Sequence, residues 1–522
     1  MTTRPMAVSG RAVVSSSSLP SSLAGRDIIK SGGNVFDALV ATSLALAVTQ
    51  NNLCGLGGDM FAILRKSDGS LDSLNGSGRG FLNLSLDYFE SKGLRELPAR
   101  GLDAAITVPG MVKSLNNIHS KYCTMEQKDL IRPAFELASN GIGVTENYSH
   151  SIEASSRIFS GMKGWERIFK PDNRVPQAGS IFKQKDLAAT LKSMMEEGLD
   201  SYYNGYLADR IIKGLESQGS MISEMDLKSH RSSWEKPLYT DFEGYRFYET
   251  GPNSQGATAL LWLNLANASA LDIAGEEALT TSRLIKLGLI AYNERDHHIT
   301  DPEYHALPSD FLSADYAEKL LQNEYILEAG NSVKKQGDTT YFCIADTDGN
   351  AVSVIQSNYM GFGSGIVPDG TGFVMQNRGS YFSLNPEHHN HFVPGKRTFH
   401  TLCASMIEKD HDFSASMGTM GGDIQPQIHL QLFRNFLRSM NPQASLDKPR
   451  WAFPYTIYEK PHKLIFEDST QEPYFKNIPV QLKKELLGFS SQLGHAQIVQ
   501  TGKDGSVTGG ADPRGDGISI SV

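Results

Sequence analysis

The chain has 522 residues, 40% of them hydrophobic and 20% charged, with a formal net charge of -9. These proportions describe a globular protein with room for two to four ordinary domains or one large layered one. The basic residues form no run, which argues against nucleic acid and anionic membrane as partners. Residues 1–18 lack a charged stretch followed by an apolar one, so a cytoplasmic location is expected.

The first strong element covers residues 35–48, apolar on nearly every face and therefore expected as a helix sandwiched between layers. It is too short for a membrane span. Gly32-Gly33-Asn34 is a helix-start signal before it. Gly55-Leu56-Gly57-Gly58-Asp59 follows and leads into a strand over 60–65. That loop comes after a helix and before a strand, the reverse of a dinucleotide cradle, so nucleotide binding is not expected there. From about 125 to 325 the pattern is mainly helical, with helices expected over 127–140, 186–197, 204–218, 257–268 and 280–296.

After that the chain turns to strands. Residues 341–345 and 351–357 read as a hairpin closed by Asp346-Thr347-Asp348-Gly349-Asn350. A turn centred on Asp348-Gly349 places Ser357 opposite Thr339 or Thr340. A further strand over 413–417 ends at Met420-Gly421-Gly422-Asp423, where Asp423 is expected to cap a helix with Pro426 in its first turn. Strands near both ends with helices between indicate a layered α/β architecture.

The four cysteines, Cys54, Cys123, Cys343 and Cys403, form no C-x-x-C pair, so neither a zinc site nor a disulfide framework is expected. His388-His389-Asn390-His391 has no carboxylate set beside it and reads as a loop or a site rim; His297-His298 reads as surface. No metal or other cofactor is expected.

Chemistry points to Gly337-Asp338-Thr339-Thr340. A threonine hydroxyl is a weak nucleophile unless a base adjoins it, and cutting the chain just before the threonine frees an α-amine to serve. That amine titrates at roughly 7.7–8.0, near working pH, against about 10.4 for a lysine. Gly421 and Gly422, before a helix, are material for an oxyanion hole, because their N–H groups point outward and a reacting oxygen can approach closely. Arg378 and His400 are candidates for binding an anionic substrate.

Across nearly its whole length the chain resembles the γ-glutamyltranspeptidase family of N-terminal nucleophile hydrolases. The resemblance rests on Gly32-Gly33-Asn34 with Asp37-Ala38, Gly55-Leu56-Gly57-Gly58, Val108-Pro109-Gly110, residues 133–138, Thr339-Thr340-Tyr341-Phe342, residues 346–354, Phe362-Gly363-Ser364-Gly365 and Gly421-Gly422. It implies an αββα sandwich and self-cleavage between Asp338 and Thr339. A large chain of 1–338 and a small chain of 339–522 would then stay associated as one domain, with dimerisation left open. It also implies Thr339 as nucleophile, Ser357 as supporting hydroxyl, and Gly421 and Gly422 as oxyanion-hole glycines. The implied substrate pocket departs from the γ-glutamyl pattern. The family's carboxylate-gripping arginine falls at Gly76, with Arg79 nearby; its asparagine is Tyr359; its ammonium-holding acid is Tyr381; its paired serines are His400-Thr401. Arg378 enters within Gln376-Asn377-Arg378-Gly379. These residues look more like the oxamate amidohydrolase branch, and they favour a substrate with a carboxylate and no nearby ammonium, held by Arg378. A γ-glutamyl hydrolase or transferase with a rebuilt pocket, and an uncleaved binding protein, remain the alternatives.

Overall fold

The computed structural model describes residues 2–323, 337–456, 459–478, 481–502 and 504–522. Two seven-stranded sheets lie face to face. Their strands are β1 (Ala7–Ser9), β2 (Ala12–Ser16), β3 (Asp59–Arg65), β4 (Leu71–Gly76), β5 (Ser233–Glu235), β6 (Leu238–Phe242), β7 (Tyr245–Glu249), β8 (Asp338–Asp346), β9 (Ala351–Tyr359), β10 (Ser405–Lys409), β11 (Asp412–Thr419), β12 (Ala496–Thr501), β13 (Val507–Ala511) and β14 (Ile518–Ser521). One sheet runs β14-β2-β8-β9-β3-β4-β5 and the other β1-β13-β12-β11-β10-β7-β6. Pairing within both is antiparallel.

The period-two alternation of β8 explains why the sheets stack. Tyr341, Cys343 and Ala345 enter the core between the sheets with Val13, Phe61, Ile355, Leu402 and Met406. Phe342 and Ile344 point the other way, into a core shared with helices α1 (Leu19–Lys30) and α2 (Val35–Thr49). Every residue of α2 is buried, as its all-round apolar pattern requires. Asn34 caps it, accepting from the Phe36 and Asp37 amides while Asp37 takes the Asn34 amide. On the outer face of the second sheet lie α3 (Gly256–Ala268), α4 (Glu277–His298) and α5 (Gln425–Leu437), sharing a second large core. The layers are helix, sheet, sheet, helix, the expected αββα sandwich.

The stretch expected to be mainly helical also supplies β5, an edge strand of one sheet, and β6 and β7, the edge strand of the other and its neighbour. Their alternation is short and was masked by the helices on either side. The last two residues of that stretch, 324 and 325, lie outside the described residues. All four cysteines are free, and Cys54, Cys343 and Cys403 are buried.

Candidate active site

The β8–β9 hairpin sets the centre of the site. Its loop is one residue longer than a turn centred on Asp348-Gly349 would give, since the Asp346 amide donates to the Asn350 carbonyl and Ala345 pairs with Ala351. Thr340 therefore pairs with Gln356. The register then slips so that Asp338 pairs with Tyr359, which leaves Ser357 and Asn358 together opposite Thr339. This is a β-bulge, a device that re-aims side chains beside sites. Tyr359 closes it at a φ of 78°, a left-handed conformation uncommon for a bulky residue.

Inside the bulge three oxygens form a chain. Thr339 Oγ1 donates to Ser357 Oγ at 3.2 Å, and Ser357 Oγ donates to the Asp338 carbonyl at 2.6 Å. The Tyr359 amide donates to the same serine oxygen at 2.7 Å and fixes its lone pair. A hydroxyl thus polarises the carbonyl of the peptide bond before Thr339, and the Thr339 hydroxyl is oriented beside it. The Asp338 carboxyl is raised by burial and lowered by the nearby positive charge of Arg100, which donates to the Gly361 carbonyl at 2.8 Å and to that of Gly363.

Gly421 and Gly422 fold against this centre. They have φ values of 134° and 59°, where glycine alone is unstrained. A methyl group on Gly422 would lie 2.8 Å from the Gly337 nitrogen, so the approach itself requires glycine. Gln255 braces the loop, its Nε2 donating to the carbonyls of Gly422 at 2.9 Å and Thr401 at 2.7 Å.

Arg378 is 1% exposed. Its guanidinium stacks on the Tyr359 ring at 4.1 Å and Nη2 donates to Thr401 Oγ1 at 3.1 Å. Nε and Nη1 have no partner among the described residues. The Tyr359 ring also reaches Gly337, within 3.0 Å of where a β-carbon would be, and so connects the arginine to the segment entering Thr339. Tyr381 stands 5.6 Å from the guanidinium, ring centre to Cζ.

The expectations for Arg79, Asp423 and His400 change here, while the loss of the family arginine at Gly76 stands. Arg79 is not part of the site: it ion-pairs with Glu303, lies 3.7 Å from Asp301 and donates to the Gly395 carbonyl. Nor can a side chain stand at Gly76, where a β-carbon would meet Ser114 Oγ at 1.8 Å. Asp423 does not cap α5; Ile424 occupies that position behind a 3-10 turn, Gly422–Ile424. Its carboxylate instead accepts from Tyr381 Oη at 2.7 Å on both oxygens and from Arg295 Nη1 at 3.1 Å. An acid is therefore present near Arg378, but Arg295 and Tyr381 already satisfy it. His400 has both ring nitrogens in use: the Leu402 amide donates to Nδ1 at 3.2 Å, which leaves Nε2 to donate to Asp59 Oδ2 at 3.1 Å. Burial, and Arg378 beside it, hold His400 well below the usual histidine range. It lies buried beside Arg378 and is not free to meet an anion.

Asp59, the end of the glycine-rich loop, was not expected to matter. Its Oδ1 accepts from the amides of Gly78 at 3.0 Å and Gly110 at 3.1 Å and from Gln376 Nε2 at 2.9 Å. It thereby ties β3 to Gln376 and His400, the neighbours of Arg378 and Thr401. Burial pushes its carboxyl up to about 7, with the donors and Arg378 opposing. A carboxyl whose folded pKa is raised binds protons more tightly folded than unfolded, so its contribution to stability is full below the unfolded value and is lost as pH rises towards 7. Asp59→Asn should remove that decline: urea midpoints measured at pH 5 and pH 7.5 are expected to differ less in the variant than in the parent chain.

Among the described residues one trio, Glu249, Cys403 and His429, has its donor atoms within 4.8 Å of one another. His429 Nδ1 already bonds Glu249 Oε1 at 2.6 Å, which makes it a buried pair joining α5 to β7. A cavity of about 250 Å3 adjoins Gly337, Asp338 and Gly421 on another side of the centre.

The sequence model for gamma-glutamyltranspeptidase matches residues 21–522. The chain belongs to the gamma-glutamyltranspeptidase family. It is 36% identical over 513 residues to the glutathione hydrolase-like YwrD proenzyme of Bacillus subtilis, covering 96% of each chain. It is 31% identical over 541 residues to the oxamate amidohydrolase proenzyme of Klebsiella pneumoniae, covering 99% of this chain and 98% of that one. The crystal structure of cephalosporin acylase from Bacillus halodurans superposes with a TM-score of 0.91 at 32% identity, covering 100% of this chain and 98% of that one. The family assignment makes the protein an enzyme, an N-terminal nucleophile hydrolase. The word proenzyme in both relatives' names supports division into a large and a small chain.

Proposed function

We propose that the chain cuts itself between Asp338 and Thr339 and then hydrolyses a small amide whose acyl part carries a carboxylate. Thr339 Oγ would attack the Asp338 carbonyl carbon, and the C–N bond would break with its nitrogen taking a proton. The resulting ester is hydrolysed by water, which leaves a carboxylate on Asp338 and a free hydroxyl and α-amine on Thr339. In turnover the same oxygen attacks the substrate carbonyl, the α-amine takes its proton and passes it to the leaving amine, and water releases the acyl group. Gly421 and Gly422 would donate to the developing oxyanion, an interaction worth on the order of 3–4 kcal/mol per donor.

The observation that carries the substrate class is Arg378, a buried guanidinium with two nitrogens unpartnered among the described residues. A carboxylate fits such a fork with two parallel hydrogen bonds. A γ-glutamyl group fits less well, because Ser114 leaves no room for the family's carboxylate-gripping arginine at Gly76, Tyr381 stands where the ammonium-holding acid would be, and the nearby Asp423 is already bonded to Tyr381 and Arg295. The experiment compares purified protein on oxamate, on other small carboxylated amides and on a γ-glutamyl anilide; faster turnover of the anilide would reject the reading.

Ser357 should matter first to self-cleavage. Ser357→Ala removes the donor to the Asp338 carbonyl and is expected to slow scission on the order of 100-fold. Intact-mass spectra taken at intervals after synthesis would measure it.

A further inference from the structure

The cavity beside Gly337, Asp338 and Gly421 has a chemistry opposite to that of the buried guanidinium of Arg378. No lysine or arginine lines it, and Asn52, Asp516 and His495 do. Asn52 is 6% exposed, and its Nδ2 donates to Ser151 Oγ at 3.1 Å. That bond leaves Asn52 Oδ1 as a buried acceptor with no partner among the described residues. Asp516 accepts from Thr145 Oγ1 and Asn147 Nδ2, each at 2.7 Å, and forms no salt bridge among the described residues. A carboxylate offers about four lone-pair sites, so two bonds leave capacity for a further donor. A buried acceptor left unmade costs free energy, and a ligand that supplies N–H groups recovers it.

The position of the cavity matters as much as its lining. The Arg378 side is closed by Tyr359, Tyr381 and Thr401, all 1% exposed or less. An amide cleaved at Thr339 with its acyl carboxylate on Arg378 must place its amine elsewhere, and this cavity opens directly onto the nucleophile's neighbours. Its volume of about 250 Å3 suits a small amine.

We propose that this cavity is the leaving-amine subsite, and that Asn52 and Asp516 make it select amines carrying a second, cationic N–H group over amines carrying a carboxylate. The substrate class is then an N-acylated diamine with an anionic acyl end and a cationic amine end. This deepens the hydrolase reading above and rests on it for the position of the acyl group.

Two matched amides test it: the oxamic amides of 1,3-diaminopropane and of β-alanine. The diamine amide should show at least a tenfold higher kcat/KM, and Asp516→Asn should shrink that ratio to about threefold or less. Equal rates, or a ratio unchanged in both Asp516→Asn and Asn52→Leu, would overturn the proposal. The free amines test it without turnover. Calorimetry on the purified protein should show 1,3-diaminopropane binding at least tenfold more tightly than β-alanine, with the difference lost in Asp516→Asn. Binding of neither, or of both equally, would overturn it. A protein that binds the diamine yet cleaves no oxamic amide would sink the hydrolase reading and leave the subsite standing.

Discussion

Thr339→Ala should leave a single uncut chain with no detectable amidase activity, while a Thr339→Ser variant should cut itself and turn over more slowly. Both consequences of the alanine change follow from one atom. The hydroxyl that donates to Ser357 Oγ is the group that would open the preceding peptide bond, and after scission it is the group that would attack substrate. Losing it removes nucleophilic catalysis from both reactions, so the fall in turnover should exceed on the order of 10^4-fold. The fold should survive, because the side chain makes one hydrogen bond among the described residues and Thr339 lies at the tip of β8. A denaturing gel and a thermal melt separate the outcomes. An alanine variant that still gives two chains would place the nucleophile elsewhere.

Much of the layered fold and part of this centre were legible in the sequence, and the reasons differ from place to place. The β8–β9 hairpin was legible because the Asp-Gly turn and the alternation of Tyr341 to Ala345 are local signals. The bulge was not: it depends on Tyr359 adopting a left-handed backbone, which the tertiary surroundings impose. The hairpin loop came out one residue longer than expected; the register it sets carries Ser357 to the side of Thr339, and the bulge adds Asn358 beside it. Asp423 shows the opposite failure. Gly-Gly-Asp before a helix is a sound local signal for a cap, yet Arg295 and Tyr381, distant in the chain, claim the carboxylate. Asp59 could not be read because its partners, at 78, 110, 376 and 400, converge from four separate segments. Its one visible sign was an acid ending a glycine-rich loop at the start of a wholly buried strand.

Arg378→Met should lower kcat/KM for carboxylated amides on the order of 10^2- to 10^4-fold, since two charged hydrogen bonds of roughly 1.5–3 kcal/mol each would be lost. The same change should leave the melting temperature unaltered or raise it. Burial holds Arg378 below the usual arginine range, and its one hydrogen-bond partner among the described residues is a neutral hydroxyl. The nearby acids Asp59 and Asp423 attract it at a distance but spend their hydrogen bonds on other groups. An ion held this way costs stability, and methionine fills a similar space without that cost. Loss of function together with retained or increased stability is the signature of a residue kept for its ligand. Arg378→Lys sharpens the test. Lysine keeps the charge but lacks the flat fork that stacks on Tyr359 and meets a carboxylate with two donors, so it should restore only part of the activity. If the methionine variant unfolds and oxamate turnover in the lysine variant equals that of the parent chain, Arg378 is a structural ion, and the carboxylate must be read by another group.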